Sequence, residues 1–182
     1  MTARLADRSR WLRFDVPFET STTVQIRPVR YDDTDVVEMT ASVQSYYKSI
    51  YGTQDEAHVD PAHFEPPDGG FFVAYEDEVP VAMGGWRRLD PHAPGVVGER
   101  PVEIKRMYVL EHARGRGIAR RLLAHLEATA ARAGADWALL ETGRPQAAAI
   151  RMYRGCGYED ATNFGYYADA DGQVSLRKRL TD

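Results

Sequence analysis

A β-branched and aromatic run from Val102 to Val109 passes through a short polar loop into Arg114-Gly115-Arg116-Gly117-Ile118-Ala119, where a helical pattern begins. That pattern carries Ile118, Leu122, Leu126, Ala130 and Ala133 at helical spacing and stops at Gly134. A buried-type strand then runs from Trp137 to Glu141. Strand, helix and strand in this order predict a parallel crossover, and such crossovers are right-handed almost without exception. No other stretch constrains the fold as tightly, because one parallel strand pair must lie in a sheet with a helix packed across it.

The charge of the same segment is unusual. Between Lys105 and Arg121 stand Lys105, Arg106, Arg114, Arg116, Arg120 and Arg121, with Glu111 the one acidic residue, while the whole chain carries −4. Four of these arginines crowd a helix N-terminus, the end at which the macrodipole disfavours cations. A bound anion relieves that conflict, and a glycine-opened helix start is a good phosphate seat. The glycines do not fit the two commonest phosphate motifs. A dinucleotide fingerprint needs a third glycine, and a triphosphate loop needs Gly-Lys-Ser or Gly-Lys-Thr.

The remaining pattern adds antiparallel pieces. Val24 to Val29 reads as a strand, and Asp32 or Asp33 offers an N-cap for a helix through Val36, Val43 and Tyr47 that closes near Gly52. Residues 53–69 read as an acidic, proline-bearing loop or short helical turn. Phe71 to Tyr75 and Val79 to Leu89 flank Glu76-Asp77-Glu78 as a hairpin. Gln146 to Arg154 reads as a short helix stopped by Gly155 and Gly157, and residues 174–180 alternate as a strand with one polar face. Residues 1–23 show weak periodicity and are expected to form an arm outside a single domain of residues 24–182.

Composition narrows the classes. At 182 residues with 43% hydrophobic content, the chain suits one packed domain. A pI near 5.8 argues against nucleic-acid binding. The single cysteine, Cys156, excludes an internal disulfide and disfavours a zinc site, so no metal is expected. No apolar run reaches membrane-spanning length, and the arginine-bearing N-terminus lacks a secretory core while Asp7 and Asp15 spoil a transit-peptide pattern. A cytoplasmic protein, monomeric or homodimeric and without a membrane partner, is the expectation.

Two motifs together carry a family resemblance. Arg114 to Ala119 matches [Arg or Gln]-x-x-Gly-x-[Gly or Ala], and Ala149-Ile150-Arg151-Met152-Tyr153-Arg154-Gly155-Cys156-Gly157-Tyr158 looks like Ala-Ile-x-x-Tyr-x-x-x-Gly-Phe. In this order the chain resembles the GNAT superfamily of acyl-CoA-dependent N-acetyltransferases over about residues 24–180. The resemblance implies an α/β fold with a mixed, mostly antiparallel twisted sheet, helices on both faces, and central strands splayed at a coenzyme A site.

It also implies roles. Met107, Tyr108 and Val109 fall where the family's fourth strand bonds pantetheine. The amides of Gly115, Arg116, Gly117, Ile118 and Ala119 fall where pyrophosphate is held, with Arg114, Arg116 and Arg120 as counter-charge. Gln146 stands where many relatives have an Asn that bonds the cofactor, and Tyr158 replaces the usual Phe. Glu103 matches the family's strand-four glutamate, a base for the attacking amine, and Tyr153 matches the tyrosine that protonates the departing thiolate and contacts the cofactor. The implied reaction is direct acetyl transfer from acetyl-CoA to a primary amine in a ternary complex, a small molecule or amino acid being favoured. Protein N-terminal or lysine acetylation, and a non-catalytic coenzyme A sensor, are the alternatives. For the acceptor cleft, the sequence offers Tyr46, Tyr47 and Tyr51, the acidic residues Asp55, Glu56, Asp60, Glu65 and Asp68, the loop histidines His58, His63 and His92, and Phe164-Gly165-Tyr166-Tyr167. His112 is expected to face solvent and Cys156 to be structural.

Overall fold

The structure is a computed structural model that describes residues 23–57 and 59–181. Most of the expected N-terminal arm and His58 therefore lie outside the described residues. Seven strands, β1 (Gln25–Val29), β2 (Gly69–Glu76), β3 (Val79–Arg88), β4 (Pro101–Val109), β5 (Trp137–Gly143), β6 (Glu159–Asp160) and β7 (Gln173–Arg179), form one sheet in the order β1-β2-β3-β4-β5-β7-β6. Every neighbouring pair is antiparallel except β4 and β5, the parallel pair joined by the crossover helix α2 (Ile118–Arg132). Helices α1 (Thr34–Tyr51) and α3 (Ala147–Arg154) complete the described architecture, with short 3-10 turns at Pro61–Phe64 and Glu111–Ala113.

The two faces of the sheet follow from period-two alternation. On β2, Phe72 and Ala74 join a core with Ile118, Leu122, Leu123, Leu126 and Ala130 of α2, together with Val102, Ile104, Ala138 and Leu140. Phe71, Val73 and Tyr75 point the other way and meet Val36, Met39 and Val43 of α1. Burying each of these large side chains is worth about 1.5–3 kcal/mol, so the two apolar stripes hold the helices on opposite faces. Asp33 fixes the start of α1 by accepting from the Asp35 amide at 3.0 Å.

Three details depart from the expected pattern. The two-residue strand β6 has no sequence signal, because it forms only by pairing with β7. Strand β5 continues two residues beyond Glu141, since antiparallel pairing to β7 carries on to Gly143 and Gln173. The supposed polar face of β7 is not solvated along its length, for Ser175 is 3% exposed. It lies opposite Glu141, which lines the cavity described next.

Candidate active site

Parallel pairing between β4 and β5 covers only Pro101 to Glu103 against Trp137 to Leu139. Beyond that point β4 is not paired with β5, so the β5-facing edge of β4 after Glu103 is open to the cavity. A bulge accompanies the fork: Gly85 pairs with Lys105 and Met83 with Tyr108, so β4 carries an extra residue. Arg106 sits in it with φ 59, a conformation that non-glycine residues rarely adopt. Its side chain anchors the strain. The Arg106 guanidinium donates to Asp55 at 2.5 Å and to the Ala57 carbonyl at 3.4 Å, and Asp55 also accepts from the Tyr167 hydroxyl at 2.8 Å. The bulged residue thus also ties down the 53–57 segment and, through Asp55, the Tyr167 hydroxyl.

A cavity of about 350 Å³ fills the fork. On the α1 face of the sheet its floor is a belt of charged side chains from adjacent strands. Glu103 is 2% exposed and both its oxygens are claimed by cations. Arg87 reaches Oε2 at 2.8 Å and 2.7 Å, and Lys105 Nζ reaches Oε1 at 2.7 Å. Lys105 Nζ also lies 4.0 Å from Glu141 Oε2, and Gln173 donates to Glu141 Oε1 at 2.8 Å. Burial, reinforced by the charge of Glu103, pushes the Glu141 carboxyl up to about 7. Tyr153, on α3, enters the same cavity from the other face, and burial raises its phenol far above the ordinary range, so it stays protonated.

At the other end, the turn between β4 and α2 presents backbone. Gly117 caps α2 in the left-handed region with φ 78, and Gly115 has φ 77. The amides of residues 115–120 have no acceptor among the described residues, while the next amide, that of Arg121, bonds the Gly117 carbonyl. Open amides at the start of a 15-residue helix are suited to an anion. The arginines are mostly committed elsewhere. Arg114 donates to the Val109 carbonyl at 3.1 Å and lies over the Tyr46 and Tyr108 rings. Arg116 forms a two-pronged ion pair with Glu76, and Arg121 donates to the Val24 carbonyl at 2.9 Å. Arg120 has no such partner among the described residues.

With the fork, the seat and the crossover in view, comparison with known proteins places the chain. The profile of the Acetyltransferase (GNAT) family matches residues 36–158. The chain belongs to the GNAT acetyltransferase family. A protein of Azospirillum brasilense named IAA acetyltransferase is 35% identical over 145 residues, which span 80% of this chain and 90% of the relative. Among solved structures, a GNAT-family acetyltransferase of Staphylococcus aureus aligns with a TM-score of 0.68 at 17% identity, covering 87% of this chain and 100% of that one. The PaiA N-acetyltransferase of Thermoplasma acidophilum, solved in complex with coenzyme A, aligns with a TM-score of 0.63 at 12% identity, covering 86% and 99%.

Within this GNAT fold, the structure brings Glu103, Met107, Gln146 and Tyr153 to one cavity. Tyr108 and Val109 continue β4 toward the turn, Ile118 points its side chain into the core, and Ala119 stands in the first turn of α2. Gln146 donates to the Tyr51 hydroxyl at 2.8 Å, which orients its amide at the cavity wall. Tyr158 packs edge-on against Tyr153 with centroids 5.7 Å apart, as expected of a packing residue. Tyr47, Tyr51, Asp55 and Tyr167 line the cavity, whereas His63 and His92 do not. Asp60 instead caps the turn at Pro61–Phe64, and Glu65 pairs with Arg30. His112 is exposed, and Cys156 packs against Met152 with sulfurs 3.9 Å apart.

Sequence reasoning missed Arg87 and Glu141. A lone acid at the end of an apolar strand was the available signal for Glu141, but its meaning depends on β4 and β7 standing beside it. No helix among the described residues is long and apolar enough to cross a membrane, and those residues contain no group of three His, Cys, Asp or Glu side chains suited to a metal ion.

Proposed function

We propose that this GNAT enzyme transfers the acetyl group of acetyl-CoA to the nitrogen of a small primary amine or amino acid, directly and within a ternary complex. The observation that carries this reading is the fork cavity, with open amides at one end and a buried charged belt at the other. Acetyl-CoA supplies an activated thioester. The amides of 115–119 suit its pyrophosphate, with Arg120 free to add charge. The unpaired edge of β4 at Met107, Tyr108 and Val109 suits pantetheine, and a free N–H there can stabilise charge developing on the thioester oxygen. Gln146 contributes its amide at the wall.

Tyr153 holds a phenolic proton in the cavity and hands it to the leaving sulfur. Glu103 and Asp55 are paired with Arg87, Lys105 and Arg106, so the acids left to meet an amine acceptor are Glu141 and Asp171. The relative named IAA acetyltransferase supports a small-molecule acceptor over a protein. We take residues 24–182 as the acetyltransferase unit and propose that the enzyme works in the cytoplasm without a metal.

Thiol release from acetyl-CoA across a panel of primary amines, amino acids and peptides tests the reading. Turnover with at least one small amine is expected, and tight coenzyme A binding without turnover would replace the enzyme with a sensor. In the same assay, Tyr153→Phe keeps the ring packing and removes the proton. It should lower kcat on the order of 100-fold while leaving the KM for acetyl-CoA within about twofold. Equal kcat values would remove the acid role.

A further inference from the structure

We propose that Glu141, rather than Glu103, accepts the proton of the acceptor's ammonium group, and that Glu103 serves as a fixed anion that positions Lys105 between the two carboxylates. The inference rests on the amine-acetylation reading above.

Position comes first. Glu141 follows Leu139, the last β5 residue paired with β4, by two places, so both side chains take the same face of the strand just where the fork opens. Its carboxyl lines the cavity. Its surroundings are built. Gln173 holds Oε1, Lys105 stands off Oε2, and the Gly165 backbone lies so close that a Cβ there would come within 2.8 Å of Oε2. Glu103, by contrast, has both carboxylate oxygens occupied by cations, Arg87 on Oε2 and Lys105 on Oε1. Glu141 accepts one neutral hydrogen bond and keeps lone pairs available.

The charged and titratable neighbours act in both directions. Glu103 and Asp55 favour the neutral form of Glu141, Lys105 and Arg87 favour the ionised form, and burial decides for the neutral side. Arg106, Asp171, Tyr47, Tyr51, Tyr153 and Tyr167 complete the titratable and charged groups around the cavity. The resulting value of about 7 is matched to proton transfer near neutral pH.

The ammonium gives one proton to the Glu141 carboxylate and becomes an amine. The amine nitrogen forms a bond to the thioester carbon, the carbon–sulfur bond breaks, and the sulfur leaves with the electron pair and takes the Tyr153 proton. The nitrogen's second proton returns to the Tyr153 oxygen, directly or through solvent, and Glu141 releases its proton to water.

The test compares Glu141→Gln, which keeps the shape and the Gln173 contact, with Glu103→Gln. Both are assayed with the best amine of the panel and with a second amine of different basicity, so that the acceptor's own ionisation is separated from the enzyme's. Glu141→Gln should lower kcat/KM for the amine on the order of 100-fold and abolish the enzyme's acidic limb near pH 7. Glu103→Gln should retain that limb and move it to lower pH, since a charge that raises Glu141 is gone. An intact limb in Glu141→Gln, or its loss in Glu103→Gln alone, overturns the assignment.

Stability gives a readout independent of the acceptor. The folded value of Glu141 lies above the 4.5 of an unperturbed glutamate, so its contribution to stability is fully present below 4.5 and is lost as pH rises to about 7. The melting temperature of Glu141→Gln should therefore gain on that of the wild type between pH 4.5 and 7.5, and parallel curves would count against the proposal. Should Glu141→Gln fail to fold, Glu141→Asp must still shift the limb. A wild type inactive on every amine while the stability curves diverge would sink the reaction and leave the titration of Glu141 standing.

Discussion

At the turn between β4 and α2 the proposed binding groups are backbone amides of consecutive residues, 115–120, whereas on the floor of the fork the polar groups are side chains brought together from β3, β4, β5 and β7. The amides need only a helix start and two glycines in the left-handed region. The belt needs four strands in register, and its charges hold one another: Arg87 and Lys105 on Glu103, and Arg106 on Asp55 above it. The contrast teaches that the first site depends on backbone conformation and tolerates changes of side chain, while the second depends on each charge keeping its partner. Removing one member of a buried ion pair leaves the other uncompensated in a low-dielectric setting.

The largest effect should come from the side-chain region. Arg106→Ala strands Asp55, which is only 16% exposed at its side chain, and losing one partner of a buried pair costs about 3–5 kcal/mol. The melting temperature should fall on the order of 10 °C. A thermal scan showing no change would mean that the bulge and the 53–57 segment are held by something else.

A smaller effect is expected at the backbone site. Gly117→Val places a β-branched residue at φ 78, a strain of about 1–3 kcal/mol, and puts a side chain in space that is open in the structure. Calorimetric affinity for coenzyme A should drop about tenfold. Unchanged affinity would show that the anion seat lies elsewhere.

The smallest effect sharpens the comparison within the arginine cluster. Arg120 lacks a partner among the described residues, while Arg116 is committed to Glu76. Arg120→Ala should weaken coenzyme A binding about threefold, and Arg116→Ala should stay within about twofold. The reverse order would mean that Arg116 leaves Glu76 when coenzyme A binds.

Much of the fold was legible because its signals are local. Asp33 and Gly52 bracket α1, Gly117 opens α2, and Gly134 follows its end, each where the chain itself demands a cap or a left-handed residue. The proposed cofactor side rests on equally local signals: a helix start makes its amides available whatever surrounds it, and the second motif at Tyr153 lies on one short helix. The crossover from β4 through α2 to β5 was likewise written in the order of its elements.

The acceptor side was decided by tertiary structure. The family resemblance marked Glu103 as a base, but its ion pairs with Arg87 from β3 and with Lys105 exist only in the folded sheet. Glu141 read as the end of a buried strand until β7 supplied Gln173 and the fork left its carboxyl facing a cavity. The sequence determined the backbone seat and the path of the chain, because hydrogen-bond donors, caps and turn conformations are properties of neighbouring residues. Which carboxylate is neutral, which is paired and which faces the acceptor depends on burial and on charges more than 15 residues apart in the chain, such as Arg87 and Glu103, and only the folded sheet sets those distances.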